Sequence, residues 1–170
     1  MTENRNMPST VFAAILAEIR RFAEIASDLK SLQNFCVCIV AERLPYCNWV
    51  GFYMLDRDDE NVLVLGPFHG APTEHVRIPV SEGICGAAVA QGETVVVADV
   101  SADPRYLACS IETKSEIVAP IRVNGKIVGE IDIDSHRLSA FGPDDRSFIE
   151  ECAALVGRFL EQKSAASGAR

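Results

Sequence analysis

Asn124-Gly125 interrupts two runs in which isoleucines alternate with other residues, Ile117 to Val123 before it and Ile127 to Ile133 after it. Asn-Gly favours the left-handed backbone conformations that a tight hairpin turn requires, so the runs read as adjacent antiparallel strands. The register of that hairpin decides which side chains reach a core. A plain two-residue loop pairs Ile117 with Asp132 and Ile121 with Val128, which mixes apolar and acidic groups on one face. A one-residue offset instead puts Ile117, Ala119, Ile121 and Val123 on a face with Ile127, Ile131 and Ile133. A three-residue loop with Gly125 or a neighbour in the left-handed region supplies such an offset, and so does a bulge at Pro120. We expect the odd loop, because one face must be buried.

The offset gathers Glu116, Glu130, Asp132 and Asp134 on the opposite face. Like charges that close destabilise a sheet unless something offsets them. Two readings stand on spacing alone. One is a solvated sheet face, the commoner fate of such residues. The other is a pocket that binds a cation or keeps a carboxyl protonated.

The hairpin sits late in a chain of 170 residues, long enough for one domain with a real core. Phe12, Ile15, Leu16, Ile19 and Phe22 recur at helical spacing behind Pro8, Ser9 and Thr10. A second helix is expected from near Asp28 and must stop before Pro45. Trp49 to Leu55 and Val62 to Phe68 read as a first hairpin around Asp58-Asp59. Gly83 to Ala90 reads as a short helix, Thr94 to Ala98 as a short strand, and Ser101 to Cys109 as loop. Gly142, Pro143, Asp144 and Asp145 open a last helix, with Phe148, Cys152, Leu155, Val156 and Phe159 on its buried face. The expected fold is α+β, a central antiparallel sheet of about five or six strands with the N-terminal and C-terminal helices packed on one side. A single domain is expected over 9–162, with 1–8 and 163–170 as flexible ends.

Charge and composition narrow the function. Lys and Arg number 16 against 24 Asp and Glu, a net charge of −8, which disfavours nucleic acid as a main partner. Met1 to Met7 hold no apolar run that would serve as a signal peptide, and no stretch has the length of a membrane span. The six cysteines are dilute for a disulfide scaffold and read as reduced thiols of a cytoplasmic protein. Cys36, Cys38 and Cys47 lack metal-ligand spacing, and Cys36 lies in a helical apolar stripe, so no metal site is expected there. Cys85, between glycines at a helix start, has two readings: a thiol of depressed pKa, or a small buried hydrophobe.

The strings N-W-V-G-F-Y (48–53), L-G-P-F (65–68), R-I-P (77–79), G-I-C-G (83–86), A-C-S (108–110), K-S-E-I-V (114–118) and G-E-I-D-I-D-S (129–135) resemble the free methionine-(R)-sulfoxide reductases, which are stand-alone GAF domains. The resemblance implies a GAF fold and thiol-dependent reduction of free methionine sulfoxide without an organic or metal cofactor. It places the reactive cysteine at Cys109, the acidic pocket at Glu116, Asp132 and Asp134, and the aromatic wall at Trp49 and Tyr53. The spacing had already grouped those three acids. Members of the family commonly carry a further, resolving cysteine ten residues before the cysteine of G-I-C-G, a position held by His75 in this chain. Cys85 is the remaining thiol within a family motif and is expected to resolve in its place, with a thioredoxin-type dithiol as reductant. A low-molecular-weight thiol is the other reductant to consider. The competing reading is a GAF domain that binds or senses a small molecule without turnover, since a fold does not fix a function. The first and last helices are also candidates for a homodimer contact.

Overall fold

A computed structural model describes residues 9–108 and 110–168. Its strands are β1 (Trp49–Leu55), β2 (Val62–His69), β3 (Arg77–Pro79), β4 (Val95–Val97), β5 (Ser115–Val123) and β6 (Lys126–Ser135). They form one six-stranded antiparallel sheet in the order β3-β2-β1-β6-β5-β4. The helices are α1 (Ser9–Ile25), α2 (Leu29–Arg43), α3 (Gly83–Gln91) and α4 (Pro143–Gly168). The fold is thus the expected α+β arrangement. Strand β3 was not foreseen, because three residues with only Ile78 buried are too short to show a period.

Helices α1, α2 and α4 cover one face of the sheet. Ile15, Ile19, Leu32, Cys36 and Val156 meet Ile117, Ile121, Ile131 and Ile133 in a continuous apolar core. Asp28 caps α2 by accepting from the Ser31 N–H at 2.8 Å. Asp145 ties the start of α4 to the chain before β1: it accepts from the Gly142 N–H at 2.9 Å and from the buried Tyr46 hydroxyl. Phe12 stacks on Phe148 at 4.6 Å, and Arg20 pairs with Glu151 at 3.0 Å, so α1 and α4 pack on each other within the chain. The expected flexible tail from Lys163 is corrected as far as Gly168: α4 continues through it, helped by the strong helix formers Ala165 and Ala166. Helix α3 lies on the other face, over a smaller cluster that includes Tyr53, Leu63, Ile78, Ile84 and Val118.

The last hairpin reaches its offset by a route other than the expected one. Val123 pairs with Lys126 across a true two-residue turn, with φ of 51° at Asn124 and 80° at Gly125. Arg122 pairs with Ile127, but Ile121 pairs with Gly129, so Val128 is an extra residue, a bulge in β6. The three-residue loop is therefore wrong, while the register beyond the bulge is as expected: Ile117 opposes Ile133 and Ala119 opposes Ile131. Ile127 precedes the bulge and ends on the α3 side, near Gly92, and Val128 takes its place against the helices.

Candidate active site

Beyond the bulge, β5 and β6 direct their even-numbered residues away from the helical layer. Glu116 lies opposite Asp134, Val118 opposite Asp132, and Pro120 opposite Glu130. Strand β1 completes the face on the other side of β6, with Trp49, Gly51 and Tyr53 opposite Asp134, Asp132 and Glu130. The four carboxyls are buried, Glu116 at 5%, Glu130 at 0%, and Asp132 and Asp134 at 4% relative exposure. This overturns the solvated-face reading. Both oxygens of Glu130 and one each of Asp132 and Asp134 have no hydrogen-bond partner among the described residues. An unpaired buried carboxylate is costly, and proteins normally satisfy or neutralise such groups.

The cost appears as proton affinity. Burial, followed by repulsion from Asp132, Asp134 and Glu130, holds Glu116 well above the ordinary carboxylate range. Burial does the same for Glu130, and burial with Asp132 for Asp134. Asp132 is pushed up to about 7 by burial, against an opposing hydrogen bond from Cys85. Groups this close titrate as a set, so protons are shared over the cluster and do not belong to one residue.

Cys85 enters this cluster from α3, its Sγ 3.5 Å from Asp132 Oδ2. Its thiol is raised well above 9.0 by burial and by Asp132, Glu130 and Glu116. Of the two readings, the structure favours the small buried residue: any stabilisation of a thiolate by the helix start is overridden by desolvation and adjacent negative charge.

Trp49 and Tyr53 stand together on the same face of the sheet as the acids. Trp49 stacks on Phe68 at 5.6 Å and lies 6.3 Å from Tyr53. Its indole crosses Gly51, where a Cβ would come within 2.2 Å of the ring, so only glycine fits beneath it. Gly51 and Phe68 adjoin Trp49 and were not singled out, although the alternation of Trp49, Gly51 and Tyr53 on one strand carried the first. Trp49 Nε1 donates to Ala71 O at 3.1 Å and the Tyr53 hydroxyl to His75 O at 2.8 Å, which fastens the 70–76 segment over the wall.

Cys109 lies outside the described residues. The Ala108 carbonyl on one side of it is 3.3 Å from His75 Nε2, and the Ser110 carbonyl on the other accepts from the Tyr106 hydroxyl at 3.3 Å. Ser110 and Asp134 line the same small cavity of about 70 Å³, together with Trp49, Pro72 and His136. That is well under the roughly 300 Å³ of a typical ligand pocket. A larger groove of about 600 Å³ lies elsewhere, beside α4 and Arg122. Its arginines bond Gly92 O, Glu150 and Glu151, whereas the small cavity has Asp134, with its unpaired oxygen, in its lining.

A GAF-domain model matches residues 8–160. The free methionine-R-sulfoxide reductase of Escherichia coli is 39% identical over 134 residues, which cover 79% of this chain and 78% of that one. The chain belongs to the free methionine-R-sulfoxide reductase family of GAF domains. Among solved structures, the Neisseria meningitidis free methionine-R-sulfoxide reductase in complex with its substrate is 32% identical, with a TM-score of 0.88 over 98% of both chains. The type II free methionine-R-sulfoxide reductase of Thermoplasma acidophilum is 35% identical, with a TM-score of 0.73 over 85% of this chain and 96% of that one. No helix among the described residues is long and apolar enough to cross a membrane.

Proposed function

We propose that this protein reduces free L-methionine-(R)-sulfoxide to L-methionine, with Cys109 as the nucleophile. The observation that carries the reading is the buried, under-bonded carboxyl cluster beneath an aromatic wall, in a chain that matches a substrate-bound reductase along nearly its whole length. Cys109 attacks the sulfoxide sulfur, forming an S–S bond as the protonated oxygen departs as water. Water then adds to the Cys109 sulfur and breaks that S–S bond, which leaves the cysteine as a sulfenic acid and releases methionine as the thioether. Protonation of the oxygen lowers the barrier. A cluster whose carboxyls are all held above the ordinary carboxylate range, Asp132 at about 7 among them, supports that role. The cluster's remaining negative charge attracts the substrate ammonium, which a methionine inside a polypeptide lacks. Trp49 and Tyr53 enclose the S-methyl end, where sulfur–aromatic contact is favourable.

Regeneration follows by condensation of the sulfenic acid with a second thiol, which forms a disulfide and releases water. The sheet separates the candidates. Cys36, Cys47 and Cys152 are buried in the helix-side core, and Cys38 is exposed on α2. Cys85 lies in the cluster on the site face, which supports it as the resolving thiol. A thioredoxin-type dithiol in a reducing cytoplasm then restores both cysteines. If the protein is a homodimer through α1 and α4, the contact uses their outer faces, since the inner ones pack within the chain.

The test is consumption of L-methionine-(R)-sulfoxide by purified protein, with dithiothreitol and separately with thioredoxin, thioredoxin reductase and NADPH. Turnover with both is expected. Cys109→Ser is expected to lower kcat/KM more than about 1,000-fold with the fold intact, in line with loss of an activated nucleophile. Cys85→Ser is expected to complete one turnover and then stall in the thioredoxin system. Absence of turnover with either reductant, from folded protein that binds the sulfoxide, would overturn the reading in favour of a non-catalytic binding domain.

A further inference from the structure

The resolving role leaves unexplained why Cys85 sits among carboxyls that make it a poor thiolate. Cys85 Sγ, an oxygen of Glu116 and an oxygen of Asp132 lie within 4.8 Å of one another, the one such trio of ligand-type side chains among the described residues. A tetrahedral zinc ion has metal–sulfur and metal–oxygen bonds of about 2.3 and 2.0 Å, which puts its sulfur and oxygen ligands about 3.5 Å apart. Cys85 Sγ and Asp132 Oδ2 already stand 3.5 Å apart.

A second observation points into the same spot. Asp132 Oδ1 and both oxygens of Glu130 are buried without a hydrogen-bond partner among the described residues. The Glu130 carboxyl also acts on the Cys85 thiol, which places it beside the trio as a further oxygen donor. A cation is the occupant that satisfies all these acceptors together. The donor set selects its class: magnesium and calcium take all-oxygen sites, whereas a thiolate with carboxylates suits a borderline-soft, tetrahedral ion.

We propose that Cys85, Glu116 and Asp132, with Glu130 beside them, form a site for a thiophilic divalent cation of the zinc class. The ion replaces the thiol proton, which leaves to solvent, and binds the thiolate without any redox change. One consequence rests on the reductase reading. The ion takes the negative charge that would hold the substrate ammonium and ties up the resolving thiol, so zinc is a reversible inhibitor competitive with the sulfoxide.

The experiment uses reduced, chelator-stripped full-length protein titrated with Co²⁺, then with Zn²⁺. Wild type is expected to develop a near-ultraviolet thiolate-to-cobalt charge-transfer band at one equivalent, which Zn²⁺ abolishes stoichiometrically. Cys109→Ser and Cys38→Ser keep the band, and Cys85→Ala loses it. Glu116→Gln, with a cooperative melting transition retained, weakens Zn²⁺ binding more than about 100-fold, beyond the range of changes behind the ligand shell. Folded wild type without a band at saturating Co²⁺ would overturn the proposal. So would a band that survives Cys85→Ala but disappears in Cys109→Ser or Cys38→Ser. Should Cys85→Ala not fold, Zn²⁺ affinity unchanged in Glu116→Gln and Asp132→Asn overturns it as well. The band needs no turnover, so an inactive protein that binds cobalt through Cys85 sinks the reductase reading and keeps this one.

Discussion

The two faces of the β5–β6 hairpin are built from alternate residues of the same strands, yet they contribute to stability with opposite sign. Toward the helices, Ile117, Ile121, Ile131 and Ile133 are wholly buried among other apolar side chains, where each stabilises the fold by roughly 1.5–3 kcal/mol. Toward α3, Glu116, Glu130, Asp132 and Asp134 are nearly as buried, with several oxygens unpaired. Thiols follow the same division. Cys36, in the helical core, is raised to about 12 by burial alone, whereas Cys85 is raised by burial and by three carboxyls. One face is therefore a stability device. The other is a set of groups held in an unfavourable state, which the first face supports.

That division can be tested at Val128. The turn already has two residues and Val128 is the extra residue of β6, so its removal leaves Ile121 opposite Gly129 and Arg122 opposite Ile127. Deletion of Val128 is therefore expected to keep Glu130, Asp132 and Asp134 on the α3 face and to remove only the bulge and the contact of Val128 with the helices. The expected outcome is soluble protein with a cooperative melting transition at a lowered midpoint. A deletion variant without a cooperative transition would show that the two faces depend on the bulge itself.

A milder pair of changes separates the faces at neighbouring residues. Ile131→Ala is expected to cost about 2–5 kcal/mol of stability in urea unfolding, with kcat/KM within about twofold of wild type. Asp132→Asn is expected to do the reverse, lowering kcat/KM by about 100-fold or more while leaving stability near neutrality undiminished. If both variants lost stability and turnover together, the faces would be coupled and the comparison would fail.

The sequence carried the parity of this hairpin, and with it both faces, because an amphipathic strand tolerates only one assignment of its apolar set. It did not carry the location of the offset. A longer loop and a bulge give the same parity beyond them and differ only near the turn, where Ile127 and Val128 exchange sides. Trp49 and Tyr53 were legible through the resemblance, and Gly51 through strand alternation alone. The Cys85 thiol was left with two readings because a local rule, glycine at a helix start, says nothing about what lies across the interface. Its burial, and the carboxyls that add to it from more than thirty residues away in sequence, arise only in the folded chain. Strand β3 escaped because its one buried residue, Ile78, makes no pattern.

The smallest expected effect is also the most direct reading of the acidic face, the pH dependence of stability. Asp132 rises from 3.8 to about 7 on folding, and Glu116, Glu130 and Asp134 rise as well. A raised folded-state pKa contributes stability that is fully present below the unfolded value and lost as pH rises through the folded one. The melting temperature is therefore expected to fall as pH rises from about 5 to 8, by a few degrees for a chain of this size. Surface carboxyls do not obscure that window. Asp28, Asp56, Asp99, Asp103 and Glu151 are shifted downward by their hydrogen bonds and ion pairs, so their contributions are lost only in more acidic solution. Asp132→Asn removes one titrating group from the cluster without changing its shape. Its melting temperature is expected to vary less over the same range and to exceed that of wild type at the alkaline end. Parallel pH profiles for the two proteins would mean that the Asp132 carboxyl ionises in the folded state as readily as in the unfolded chain, and the acidic face would lose its contrast with the helical one.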